Sequence, residues 1–210
     1  MEIVLDQVSK EIKHINILQN VNLHLSGGHI YGLRGVNGSG KTMLLRVICG
    51  LIRPTSGTVT INGMILGRDM EFPTSVGMMI ENPAFLNEFT AEENLEMLSS
   101  LKKVVGKKEI QDMLERVGLK QHLTKKYKKY SLGMKQRLGI AAAMFENPQI
   151  ILLDEPTNAL DVDGIAMVVD LLKDYRNQDR IIVVASHEKE FLEQVADTIF
   201  EVQSGEVYGG

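Results

Sequence analysis

Cysteine is almost missing from this chain of 210 residues, where Cys49 stands alone. A single thiol excludes a disulfide framework and any multi-cysteine metal site built within one chain. Its place in an apolar run marks a small core residue in a reducing cytosol. No stretch approaches the roughly 18 apolar residues of a membrane span, so a role at a membrane would have to run through a partner. A basic excess is lacking too: 23 Lys and Arg against 27 Asp and Glu leave a net charge of −4, which argues against a nucleic-acid partner. The local cluster Lys125, Lys126, Lys128 and Lys129 reads as a solvated face. The opening Met1-Glu2-Ile3-Val4-Leu5-Asp6 has neither a basic leader nor a long apolar segment, and no linker, repeat or low-complexity tract interrupts the rest. With 44% hydrophobic and 24% charged residues, the composition is that of a globular domain long enough for a full core.

What is present is a phosphate-binding pattern. Gly35-Val36-Asn37-Gly38-Ser39-Gly40-Lys41-Thr42 reads G-x-x-x-x-G-K-T, a P-loop that cradles a nucleoside triphosphate with Mg²⁺. Gly35, Gly38 and Gly40 lack a Cβ, so the backbone can turn its N–H groups, with those of Asn37 and Ser39, onto the phosphates. Lys41 supplies a point charge for the β- and γ-phosphates, and Thr42 a small hydroxyl for Mg²⁺. Ile30 to Leu33 before the loop is a short apolar strand. Met43 to Cys49 after it is a helical run closed by Gly50, so the phosphate meets a helix N-terminus. A glycine turn that binds nothing would need neither the Lys-Thr pair nor this strand-to-helix context.

Two more strands end in polar residues. Ile150-Ile151-Leu152-Leu153 delivers Asp154 and Glu155 at its C-terminal end, where open α/β sheets place ligands. Asp154 suits Mg²⁺, and Glu155 suits a general base acting on a water aimed at the γ-phosphate. Ile182 to Ser186 precedes His187, which alone would read as a structural histidine and beside the other strand ends reads as a third group converging on the γ-phosphate.

The coarse pattern is strand-rich for the first eighty residues, with strands at Ile3 to Leu5, Ile17 to Leu23, Thr58 to Ile61, Met64 to Leu66 and Ser75 to Ile80. Asn62-Gly63 is a hairpin signal. Helices follow: one from the Thr90-Ala91-Glu92-Glu93 capping box to about Leu101, one over Lys107 to Val117, and one from the N-cap Ser131 to Asn147. Strand and helix then alternate. A helix is expected over Val162 to Tyr175, a strand over Ile181 to Ala185, a short helix over Glu188 to Ala196 and a last strand over Thr198 to Val202. Buried apolar strands separated by helices predict a parallel sheet with covered faces.

Taken together, these motifs resemble the ATP-binding subunit of ABC transporters along essentially the whole chain. The order matches: P-loop, helical insert, Tyr130-Ser131-Leu132-Gly133-Met134 in the place of the Leu-Ser-Gly-Gly-Gln signature, the Asp154-Glu155 strand end, Asn158-Ala159-Leu160-Asp161 as D-loop, and His187 as switch histidine. The resemblance implies an α/β fold, a P-loop NTPase core with a mainly parallel sheet, an N-terminal antiparallel β part and an inserted helical subdomain. Residues 1–83 and 146–210 would form the core and 84–145 the insert. It implies ATP and Mg²⁺ as cofactors and a head-to-tail dimer, of identical chains or with a relative. In that dimer Ser131 and Gly133 of one chain would close over the γ-phosphate held by the other, and Asp161 would link the two sites. Lys41, Glu155 and His187 would be catalytic. A separate membrane permease would be the partner, placing the protein on the inner face of the cell membrane, and export would be the work.

Three departures from the family are visible. Leu132 and Met134 replace the usual Gly and Gln of the signature. Ile12 falls where an aromatic normally stacks on adenine, implying apolar contact there instead. Glu81, in Met78-Met79-Ile80-Glu81-Asn82-Pro83, replaces the Q-loop glutamine, keeping an acceptor oxygen for Mg²⁺ or water while adding charge. Glutamate there together with Ser-Leu-Gly-Met resembles the ATPases of bacitracin- and lantibiotic-type exporters. A soluble ABC-type ATPase working on ribosomes or DNA is the alternative, but its usual second ATPase half, coiled-coil insert or zinc cysteines are not seen. A small-molecule P-loop kinase would have no need of the Ser131 helix.

Overall fold

Alternation of apolar side chains in the buried strands decides the layering. In a strand successive side chains point to opposite faces, so a strand that is apolar throughout must be covered on both. The computed structural model describes residues 1–81, 84–177 and 179–209; Asn82 and Pro83, next to Glu81, and Gly210 lie outside the described residues. In it β7 (Ile150–Asp154) sends Ile150 and Leu152 into one apolar cluster and Ile151 and Leu153 into another. β8 (Ile181–Ser186) does the same with Ile181 and Val183 against Ile182 and Val184. The sheet is thus the wall between two cores.

The first core lies under an antiparallel layer. β1 (Glu2–Ile12) and β2 (Ile15–Ser26) are joined by Lys13 and His14, both with positive φ, and β4 (Ser56–Ile61) and β5 (Met64–Ile65) by Asn62 and Gly63 in the same backbone region. Two consecutive left-handed residues make the turn whose twist suits a tight hairpin. The sheet order is β2-β1-β4-β5. Ile3, Leu5, Leu18, Val21, Leu23 and Leu25 point inward from it onto α1 (Lys41–Ile48), the helix that follows the P-loop. Cys49 is buried in this core, with its thiol pushed up from the ordinary range by desolvation.

The second sheet runs β10-β9-β3-β8-β7-β6, where β3 is His29–Arg34, β6 Val76–Met79, β9 Thr198–Gln203 and β10 Glu206–Tyr208. All its pairings are parallel except that of β9 with β10. β10 corrects the expectation that the strand from Thr198 is the last. Ser204 and Gly205, both with positive φ, form one more two-residue turn, and the chain returns along the edge.

On the far face pack α2 (Ala91–Lys102), α3 (Lys107–Arg116), α4 (Leu132–Met144), α5 (Val162–Tyr175) and α6 (Lys189–Val195), with two 3₁₀ turns at Lys120–His122 and Tyr127–Lys129. Thr90 caps α2 in the expected box, its hydroxyl accepting from the Glu93 N–H while the Glu93 carboxylate accepts from the Thr90 N–H. Ser131 caps α4 by accepting from the Met134 N–H. These helices share one core with the strands: Leu95, Ile110 and Leu114 join Leu138, Ile140, Ile151 and Leu153 in one cluster. Of the four clustered lysines, Lys126 and Lys128 both pair with Glu88.

α4 lies so close to β6 that a Cβ on Gly77 would sit 1.8 Å from the Ala143 carbonyl oxygen. Backbone cannot yield as a side-chain tip can, so Gly77→Ala should cost about 3 kcal/mol or more, the upper end for overpacking. Urea unfolding checks this, and a loss below about 1 kcal/mol would mean that α4 moves freely over the sheet.

Candidate functional site

Strand order brings the functional groups together. β8 lies between β3 and β7, with Arg34 opposite Ser186 and Asp154 opposite Ala185. Gly35, His187 and Glu155, each one or two residues further along, therefore emerge side by side. A cleft of about 370 Å³ opens there, lined by Ile17, the P-loop from Val36 to Thr42, Met43, Arg46, Glu81, Asp154 and Glu155.

The P-loop glycines serve two different needs. Gly38 and Gly40 have φ of 81° and 115°, the left-handed region that side chains avoid. Gly35 has no such angle; instead a Cβ there would meet the Val202 carbonyl oxygen at 2.3 Å and Ser39 Oγ at 2.6 Å. Close approach, rather than an unusual turn, requires glycine at the first position. Gly40 directly precedes α1, so free N–H groups of the helix start face the cleft. Ser39 is buried with its Oγ unpartnered.

Lys41 is buried and folded back on the loop. Its ammonium donates to the Gly35 carbonyl at 2.6 Å and to that of Val36 at 3.3 Å. Glu155 Oε1 lies 3.3 Å away, an ion pair without hydrogen-bond alignment, and that oxygen has no hydrogen-bond partner. The other oxygen, Oε2, is crowded: His187 Nδ1 lies at 2.8 Å, the Ser186 hydroxyl at 3.3 Å and the His187 N–H at 3.4 Å. Facing a carboxylate, Nδ1 carries the ring proton. Glu155 itself has φ of 48°, a left-handed conformation costly for a non-glycine residue and held in place by its surroundings. Its N–H donates to the Ala185 carbonyl at 2.8 Å, and its carbonyl accepts from Gln136 Nε2 at 2.9 Å.

Asp154 Oδ2 accepts from the Thr42 hydroxyl at 2.6 Å, while Oδ1 is buried without a partner. Burial pushes the Asp154 carboxyl above the usual carboxylate range; the Thr42 hydrogen bond opposes this and the neighbouring Glu155 charge adds to it. Glu81 has φ of 61°, and its own carboxylate reaches Arg46 Nη2 at 2.5 Å.

The remaining expected residues lie away from the cleft lining. Ser131 is exposed at the start of α4, with Leu132 bare beside it. A Cβ on Gly133 would sit 2.8 Å from the Ala159 carbonyl oxygen, so this glycine lets α4 approach the Asn158–Asp161 segment of its own chain. Asp161 caps α5 by accepting from the Gly164 N–H at 2.9 Å and faces Arg137 at 3.3 Å. Ile12 is at the far end of β1, where the hairpin turns, and does not line the cleft; Ile17 does.

Sequence reasoning missed Ile17, Arg46 and Gln136. Arg46 is four residues after Thr42, one helical turn on and on the same face, a spacing that could have revealed it. Gln136 stands between Lys135 and Arg137 and is the polar member of the helix's buried residues, a burial that requires a specific hydrogen bond and that the sequence does not display.

Comparison with known proteins meets this geometry directly. The family described as ABC transporter matches residues 18–158. The chain is 47% identical to the uncharacterized ABC transporter ATP-binding protein YybJ of Bacillus subtilis, over 94% of this chain and 91% of that protein. With the bacitracin transport ATP-binding protein BcrA of Enterococcus faecalis it shares 38% identity, over 98% of this chain and 68% of BcrA. Among solved structures, the ATP-binding cassette MJ0796, a dimer in a post-hydrolysis state bound to ADP and Pi, superposes with a TM-score of 0.87 at 27% identity, over 98% of this chain and 96% of that one. A P-loop facing an acidic strand end, on a fold and sequence shared over nearly the whole chain, leaves one assignment: the chain belongs to the ABC transporter family, as an ATP-binding and ATP-hydrolysing cassette.

Proposed function

We propose that this cassette drives export of a peptide antibiotic through a separate membrane permease, by ATP-dependent closure of a dimer of cassettes. The observation that carries the reading is the convergence of Lys41, Thr42, Asp154 and Glu155 on one cleft. Likeness to BcrA supports the cargo class. No helix among the described residues is long and apolar enough to cross a membrane, so the path for the cargo would belong to the permease, with the cassette on the inner face.

The residues fit Mg²⁺. Among the described residues no group of three His, Cys, Asp or Glu side chains could hold a metal, which suits an ion bound by one carboxylate, one hydroxyl and the substrate's phosphates. The unpartnered buried Oδ1 of Asp154 and the Thr42 hydroxyl would hold it, with Glu81 within reach of the same cleft. Bound there, Mg²⁺ would offset charge on the β- and γ-phosphates. Lys41 would exchange the Gly35 and Val36 carbonyls for phosphate oxygens and leave Glu155. That frees Oε1 to accept a proton from the attacking water, while His187 and Ser186 hold Oε2.

A second cassette would complete the site. Val36, Leu132 and Val162, in the P-loop, beside Ser131 and next to Asp161, leave 74%, 73% and 81% of their surface bare. A partner packed head to tail would cover them and set Ser131 and Gly133 over the γ-phosphate.

Glu155→Gln should bind MgATP as tightly as the unaltered protein, lose hydrolysis by roughly 10²- to 10⁴-fold, and shift to dimer mass with MgATP in light scattering. Steady-state hydrolysis at the normal rate would remove Glu155 from the proposed role. Asp154→Asn addresses the cation site. Because the folded carboxyl is raised, its contribution to stability is present below the ordinary carboxylate range and lost as pH rises through the raised value. Nucleotide-free Asp154→Asn should therefore gain stability relative to the parent as pH rises from acid to neutral, and lose Mg²⁺-dependent ATP binding. Denaturant melts at both pH values and ATP titrations with and without Mg²⁺ read the two effects.

A further inference from the structure

We propose that Arg46 is the positioning residue that makes a glutamate workable at position 81, by neutralising that carboxylate and holding it off the triphosphate. The inference rests on the reading that this cleft takes MgATP.

Three carboxylates line the cleft, Glu81, Asp154 and Glu155, against two cations, Lys41 and Arg46. Lys41 is committed to Glu155 and to loop carbonyls. The guanidinium of Arg46 is the charge set against Glu81, at 2.5 Å. The backbone places both residues at the cleft. Arg46 sits in α1, and its carbonyl accepts from the Ile52 N–H at 3.2 Å just beyond the helix. Glu81 lies two residues beyond Met79, which pairs with Leu153 next to Asp154. A left-handed backbone at Glu81, φ 61°, is a conformation that a flexible surface turn would relax, and here it is retained.

A carboxylate that lines the cleft would meet an arriving anion there. Without its cation it would stand unpaired toward the phosphates, in a cleft whose charge would then be three negative groups against one positive. Glutamine at this position would carry no such cost. Arg46 and Glu81 are thus a coupled pair, and the arginine matters because the residue at 81 is acidic. Both ends are partly exposed, so the pair itself adds little to folding stability.

The test is a cycle of four proteins: parent, Arg46→Met, Glu81→Gln and the double variant, with dissociation constants measured for MgATP and MgADP by calorimetry. Arg46→Met should weaken MgATP on the order of tenfold and MgADP by less, since ADP carries less charge, with the melting temperature nearly unchanged. Introduced into the Glu81→Gln background, the same change should weaken MgATP less than about twofold. Arg46→Lys should recover part of the loss. An equal loss in both backgrounds would overturn the proposal, because Arg46 would then act on the phosphate directly or on the fold. Failure of the parent to bind MgATP would instead sink the reading of the cleft, and the proposal with it.

Discussion

Parallel pairing of β8 with β3 on one side and β7 on the other is the constraint from which the site follows. The register sets Arg34 beside Ser186 and Ala185 beside Asp154, so three chain segments far apart in sequence leave the sheet at one level. A slip of one residue would turn every side chain of β8 to the wrong face, moving Ile182 and Val184 out of one core and Ile181 and Val183 out of the other. The register fixes the distance between Lys41 and Glu155. Stability and chemistry share one determinant here.

Charge in the cleft is balanced by pairs that a triphosphate must rearrange. Lys41 neutralises Glu155 and occupies the phosphate-binding loop's own carbonyls; Arg46 neutralises Glu81; Asp154 keeps one oxygen unpaired and a raised proton affinity. Each arrangement satisfies the empty cleft locally while leaving it short of positive charge for an incoming anion. A divalent cation arriving with the nucleotide would offset that shortage. Glu155, held in a left-handed backbone by Gln136 and Ala185, cannot turn away from the strand end as its partners change.

The helical face connects to the same point. Gln136 ties α4 to the Glu155 carbonyl, Gly133 lets α4 lie against the carbonyl of Ala159, and Arg137 reaches Asp161. The exposed start of α4, carrying Ser131 and Leu132, is thereby linked to Glu155 in its own chain. Since α4 shares a core with the strands, its movement would be felt at β6 and β7. Pairing of two cassettes across bare Val36, Leu132 and Val162 would thus act on groups already linked to the catalytic strand end.

Much of this was legible in the chain itself. The P-loop, the capping box at Thr90, the Asn62-Gly63 turn and the apolar strands ending in Asp154-Glu155 and His187 are local patterns, written in consecutive residues, and local patterns survive folding. The edge strand β10 was missed because a three-residue strand has almost no periodicity to detect. The roles of Ile17 in the cleft lining, Arg46 opposite Glu81 and Gln136 beneath Glu155 were missed for a different reason. Each depends on which elements the strand order and helix packing bring within a few ångströms. The run from Gly35 to Thr42 reads as a triphosphate loop in any context, whereas the charges that face it were set by packing, because contact between residues distant along the chain does not follow from local pattern.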